Sequence, residues 1–149
     1  MLNEDYKDIL RCLNAEKAKF LLVGAYAMAA HGYPRSTMDI DIWVQPEEKN
    51  AELVLLALNR FGAPTHDLSR SDLIKDDTVY QIGLAPRRID LMTGISGLAF
   101  DETYRRAVSI EIDSIDVMII SLQDLIKNKR ATGRSKDLLD AENLEKLQR

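Results

Sequence analysis

The chain has 149 residues, 46% of them hydrophobic and 30% charged, which is enough for one buried core and excludes wholesale disorder. Its net charge of −4 argues against a general nucleic-acid coat protein, and its one cysteine, Cys12, excludes a disulfide scaffold or a Cys-rich zinc site. The uncharged stretch 20–34 is too short for a membrane span, and the acidic start lacks a signal-peptide pattern, so the expectation is a cytoplasmic protein with no membrane partner.

Asn3 can cap a first helix over about 4–16, with Tyr6, Ile9, Leu10 and Leu13 on one face. Cys12 then reads as a partly buried, unreactive thiol. Phe20 to Val23 reads as a short buried strand ended by Gly24. A small-residue helix follows over Ala25 to Ala30 and stops near Gly32 and Pro34. Asp39 to Val44 alternates as a half-buried strand should. Pro46, read as the first helical position, starts a helix to about Phe61 that ends at Gly62. Residues 63–77 read as loop, and Thr78 to Leu84 pairs with Arg88 to Met92 as a hairpin through Ala85-Pro86.

A short helix at 101–107 precedes strands near 108–112 and 115–119. Ser121-x-x-Asp124 then resembles a capping box for a helix stopping at Gly133. Ser135 can cap a last helix, with Leu138, Leu139, Leu144 and Leu147 expected to face inward. The fold class is α/β (α+β): a mixed β-sheet flanked by helices, one domain over 1–149, with a C-terminal helical pair at about 121–147 packed on the core.

Three carboxylates carry the chemistry. Asp39 and Asp41 are two apart on a strand, so their side chains share a face roughly 6.6 Å apart along it, while Ile40, Ile42 and Val44 face the core. Asp-x-Asp alone carries little weight in a chain rich in Asp. Asp90 adds to it, because Ile89 and Leu91 must face the core and turn Asp90 the other way. Clustered carboxylates repel and raise one another's pKa, and a hard divalent cation held by Asp39, Asp41 and Asp90 removes the conflict. The bland alternative is a solvated strand surface. Trp43 shares the carboxylates' parity, so it either flanks the cleft or packs the sheet.

Gly24, between a strand and a helix, permits close backbone approach and free N–H groups for phosphate oxygens. Residues 127–136 hold Lys127, Lys129, Arg130, Arg134 and Lys136 with no acid, which reads either as an anion site or as a solvated helix face. Arg35 could reach a phosphate or pair with the acidic cluster. Thr37 reads as a loop cap and His31 as structural.

The order of strand, Gly turn, helix, Asp-x-Asp strand and later Asp resembles the nucleotidyltransferase fold of the polymerase β-like superfamily. The matching residues are Val23-Gly24-Ala25, Met38-Asp39-Ile40-Asp41-Ile42 and Asp90. His31-Gly32-Tyr33-Pro34-Arg35, Thr37, Asp124-Leu125-Ile126, Lys129, Gly133-Arg134 and Lys136-Asp137 resemble small bacterial members, the AbiEii-like, minimal and lincosamide nucleotidyltransferases. Ala25 departs from the superfamily's usual Gly or Ser, keeping a backbone N–H but no hydroxyl.

The resemblance implies transfer of a nucleoside monophosphate from an NTP to a hydroxyl of a protein, a tRNA or a small molecule, with pyrophosphate released. Asp39, Asp41 and Asp90 would hold Mg²⁺ (or Mn²⁺), with Asp90 as general base. Gly24, Ala25, Arg35, Lys129, Arg134 and Lys136 would contact the nucleotide. A toxin–antitoxin system is one context it offers. Two alternatives stay open: a catalytically silent binding module such as an antitoxin or partner protein, and a metal-dependent phosphohydrolase.

Overall fold

The structure, a computed structural model, describes residues 2–34, 39–84 and 87–148, so Arg35 and Thr37 and the Ala85-Pro86 turn lie outside the described residues. Among the described residues, six strands form one mixed sheet: β1 (Phe20–Val23), β2 (Ile40–Val44), β3 (Val79–Ile82), β4 (Ile89–Met92), β5 (Val108–Ile112) and β6 (Ile115–Ile119), in the order β3-β4-β2-β1-β6-β5. The helices are α1 (Glu4–Ala15), α2 (Gly24–Ala30), α3 (Glu48–Phe61), α4 (Phe100–Arg106), α5 (Leu122–Thr132) and α6 (Ser135–Glu145). The α/β reading and the mixed sheet flanked by helices therefore hold.

Both faces of the sheet are covered. On one, Ile40, Ile42, Val44, Ile89 and Leu91 pack with Tyr6, Ile9, Leu10 and Leu13 of α1 and Ala51, Val54 and Leu58 of α3. On the other, Leu21, Val23 and Trp43 pack with Met28 of α2, Phe100 of α4, Leu125 of α5 and Ala141 and Leu144 of α6. Side chains alternate across a strand, so each strand feeds both cores. Trp43, two residues beyond Asp41 on the same face of β2, is 1% exposed and meets the Phe100 ring edge-on at 5.2 Å. It packs the sheet.

Helix ends follow local chemistry. The Asn3 side chain accepts from the Tyr6 N–H, and Ser121 accepts from the Asp124 N–H. Gly62 and Gly133 close α3 and α5 in the left-handed conformation, at φ 91° and 70°. Two expected starts shift. Glu47, not the residue before Pro46, caps α3 through its own carboxylate, and Arg134 is the N-cap of α6 with no side-chain cap bond.

The larger correction concerns α6. Leu138, Leu139 and Leu147 are 43%, 57% and 41% exposed, whereas Asp137, Asp140, Ala141 and Leu144 are buried. Only Leu144 of the four expected leucines faces inward. The helix is rotated because its inner face answers a buried cation, described below, rather than apolar surface alone. Leu144→Ala should therefore cost about 2–5 kcal/mol in urea unfolding, and Leu139→Gln less than about 0.5 kcal/mol. Equal losses would restore the leucine-inward helix.

Candidate active site

β2 and β4 run parallel and in register, which sets Asp41 directly opposite Asp90. On its other side, β2 pairs antiparallel with β1, which sets Asp41 opposite Val23, next to Gly24. Asp39 precedes β2 at the same parity. Strand pairing alone therefore gathers three carboxylates at one place, where β1 ends and β2 and β4 begin.

Gly24 sits at φ +68°, and a Cβ built on it would lie 2.1 Å from Asp41 Oδ2. The glycine serves two purposes, then: it turns the chain into α2, and it leaves room for the Asp41 carboxylate against the backbone. Any side chain at 24 collides with Asp41.

The charge is balanced by a residue that reading the sequence for acids missed. Arg88 lies two positions before Asp90 on the same side. Its Nε donates to Asp90 Oδ1 at 2.7 Å and its Nη2 to Asp90 Oδ2 at 3.1 Å. Nη2 also stands 3.3 Å from Asp39 Oδ2, and the Arg88 backbone N–H donates to Asp39 Oδ1 at 3.1 Å. The parity that ties Asp39 to Asp41 applies equally to Arg88 and Asp90, and is the signal that could have found it. Tyr6 Oη, reaching from α1, donates to the Arg88 carbonyl at 3.2 Å. Burial, then nearby Tyr26 and Asp39, push the Tyr6 phenol up to about 12, so it stays a neutral donor.

Asp41 is placed differently. Among the described residues, no hydrogen bond or ion pair reaches its carboxylate. Burial, followed by the charges of Asp90 and Asp39, raises its pKa to about 6, against opposing pulls from Lys129 and Arg88. Among the described residues, no three His, Cys, Asp or Glu side chains are gathered tightly enough to form a ready metal cluster. The donors themselves suit a hard cation, since all are carboxylate oxygens.

The basic segment supplies the opposite wall. Lys129 Nζ stands 3.3 Å from both Asp137 Oδ1 and Asp140 Oδ2, and its side chain is only 14% exposed. Arg134 Nε donates to Asp137 Oδ2 at 2.8 Å, and the Thr132 hydroxyl lies 2.7 Å from the same oxygen. Burial raises the pKa of Asp137. That is outweighed by Thr132, Lys129 and Arg134, which hold the carboxyl below its usual value. The solvated-face alternative therefore does not hold for Lys129, and α6 turns Asp137 and Asp140 inward to meet it. Arg134 and Lys136 remain exposed.

One cleft of about 420 Å³ is lined by Gly24, Ala25, Asp39, Asp41, Arg88, Asp90, Lys129, Arg134, Lys136, Asp137 and Asp140. Eight of the nine residues expected at the site thus border a single cavity, and the ninth, Arg35, lies outside the described residues. His31 is structural: its Nε2 lies 2.7 Å from the Ile120 carbonyl. Burial raises the Cys12 thiol's pKa, consistent with an unreactive cysteine.

Residues 1–148 match the family described as "Nucleotidyltransferase of unknown function (DUF6036)". The chain belongs to this family. A solved structure of a provisionally assigned nucleotidyltransferase from Thermotoga maritima has the same fold, with a TM-score of 0.59, 17% identity, and coverage of 98% of this chain and 94% of that one. At that identity the likeness speaks to the fold. A search among functionally curated proteins returns no match. Among the described residues, no helix is long and apolar enough to cross a membrane.

Two outcomes follow for this family member. Lys129→Ala removes the cation shared by two buried carboxylates and should destabilise the protein by about 3 kcal/mol, whereas the exposed Lys127→Ala should change little; thermal unfolding distinguishes them. A raised carboxylate pKa favours the folded state below the unfolded value, and that advantage is lost as pH climbs through the folded value. For Asp41 the window is about 4 to 6. Without divalent metal, Asp41→Asn should therefore be more stable than the parent at pH 7, by at most about 3 kcal/mol, with the gap closing toward pH 4. Destabilisation at pH 7 would mean that the carboxylate is a structural acceptor.

Proposed function

We propose that the protein is a metal-dependent nucleotidyltransferase of the polymerase β-like, small bacterial type, moving a nucleoside monophosphate from an NTP to a hydroxyl acceptor. The observation that carries this reading is the in-register pairing of Asp41 with Asp90, with Asp39 beside them, in one cleft that Lys129, Arg134 and Lys136 also line together with Asp137 and Asp140. A triphosphate needs cationic neutralisation, and a hydroxyl nucleophile needs a carboxylate to take its proton. The cleft offers both.

Asp39, Asp41 and Asp90 would hold Mg²⁺ or Mn²⁺, which neutralises phosphate charge and lowers the pKa of the acceptor hydroxyl. Asp90 receives the acceptor proton as the oxygen bonds to the α-phosphorus and the bond to the pyrophosphate oxygen breaks. The N–H groups of Gly24 and Ala25 hold phosphate oxygens. Arg134 and Lys136, both exposed, neutralise the departing pyrophosphate, with Lys129 lining the same cleft. The acceptor class and a place in a toxin–antitoxin system extend the same reading.

A rival reading, a catalytically silent partner-binding module, draws on Arg88, which neutralises Asp39 and Asp90 without any metal. The protein incubated with each α-labelled NTP, Mg²⁺ and cell lysate should produce a labelled adduct and pyrophosphate. Asp90→Asn should reduce the yield on the order of 10²- to 10⁴-fold. Folded protein that labels nothing with any NTP would favour the silent module. Release of inorganic phosphate without an adduct would indicate a phosphohydrolase.

A further inference from the structure

The cleft has a second chamber, and charge divides the two. Beside the carboxylates lies a cavity of about 260 Å³ that shares Gly24, Asp41, Lys129, Arg134 and Asp137 with the first. The residues it does not share are Val23, Met92, Ile95, Ser96, Asn128 and Thr132, none of them charged. Every charged residue on its wall belongs to the common border.

The chamber is built rather than incidental. The chain leaving β4 is held down at Gly94, where a Cβ would lie 1.9 Å from the Asp76 carbonyl oxygen. It is held again at Gly97, at φ +80°, where a Cβ would lie 2.7 Å from the Ala131 Cβ of α5. Asn128 Nδ2 donates to the Ser96 carbonyl at 3.0 Å, tying the loop to α5. That bond uses one donor of the Asn128 amide, which has a second N–H and an oxygen acceptor. The Ser96 hydroxyl, on an exposed residue, adds another donor and acceptor at the same wall.

We infer that this neutral chamber is the nucleoside pocket, taking the heterocycle and ribose of the NTP while the charged chamber takes its phosphates. The inference rests on the nucleotidyltransferase reading. A nucleoside triphosphate has the same two parts as the cleft: a polyanionic tail and a neutral, partly apolar head with hydrogen-bonding edges. The join falls at Asp41, which borders both chambers. The acceptor is assigned elsewhere by the position of Asp90. Asp90 and Asp39 line the charged chamber and not the neutral one. An acceptor hydroxyl must reach Asp90, so it enters on that side, and the neutral chamber is left to the nucleoside. Val23, Met92 and Ile95 supply the apolar surface on which a base lies.

Calorimetric titration with inorganic tripolyphosphate and with each of ATP, GTP, CTP and UTP, all with Mg²⁺, tests the assignment. At least one NTP should bind the parent protein more tightly than tripolyphosphate. Ile95→Trp, which fills the chamber, should weaken that NTP at least tenfold while tripolyphosphate affinity stays within twofold. The tripolyphosphate titration also reports whether the variant is folded. If it is not, Asn128→Ala replaces it and should remove part of the NTP advantage in the same selective way. Tripolyphosphate binding with no NTP advantage, or an advantage untouched by a folded variant, overturns the nucleoside pocket and leaves the nucleotidyltransferase reading standing. Binding of neither probe to the parent overturns both.

Discussion

Everything at the cleft depends on the register between β2 and β4. Because the two strands run parallel with Asp41 opposite Asp90, like charges are fixed side by side at the end of a sheet covered on both faces. A slip of one residue would send Asp90 into the core and Ile89 into the cleft. The register is secured by the apolar side of the same strands, where Ile40, Ile42, Val44, Ile89 and Leu91 pack under α1 and α3. Hydrophobic burial thus holds a repulsive arrangement that the carboxylates would not adopt unaided. Arg88 lessens the repulsion at Asp39 and Asp90, while burial first, and then the charges of Asp90 and Asp39, raise the pKa of Asp41.

The C-terminal helices solve a related problem with the opposite sign. Lys129 projects from α5 toward the cleft, and α6 turns two aspartates inward to hold it. Arg106 from α4 grips Asp124 at the start of α5 with two hydrogen bonds, at 2.9 and 3.2 Å, so the helix bearing Lys129 is anchored at its N-terminal turn. Stability and site chemistry are coupled here, since one cation serves the fold and borders both chambers.

Much of this was legible in the sequence. The strands at Phe20–Val23, Val108–Ile112 and Ile115–Ile119 fall where apolar runs and turn residues place them. Gly62 and Gly133 stop their helices where a left-handed residue is needed. Asp39, Asp41 and Asp90 share a face because strand periodicity dictates it. The rotation of α6 was not legible, because hydrophobic periodicity assumes that leucines seek the core. Here buried Asp137 and Asp140 are satisfied by Lys129, a partner on another helix that local pattern does not reveal. The role of Gly24 was half visible: a turn glycine can be read from its neighbours, but the Asp41 carboxylate against its Cα position needs the pairing of β1 with β2. The neutral chamber is built from Met92, Ile95, Ser96 and Asn128, ordinary residues separated along the chain. It emerges only when α5 is laid against the loop after β4.

The proposed function holds that the carboxylates and a triphosphate share divalent metal. Electron paramagnetic resonance of Mn²⁺ titrated into the protein with a non-hydrolysable NTP analogue measures this directly. The account predicts that tight Mn²⁺ binding requires the nucleotide, and that Asp41→Asn, its fold checked by thermal unfolding, abolishes it. Nucleotide binding of equal strength in EDTA, with Mn²⁺ left free in solution, would contradict it.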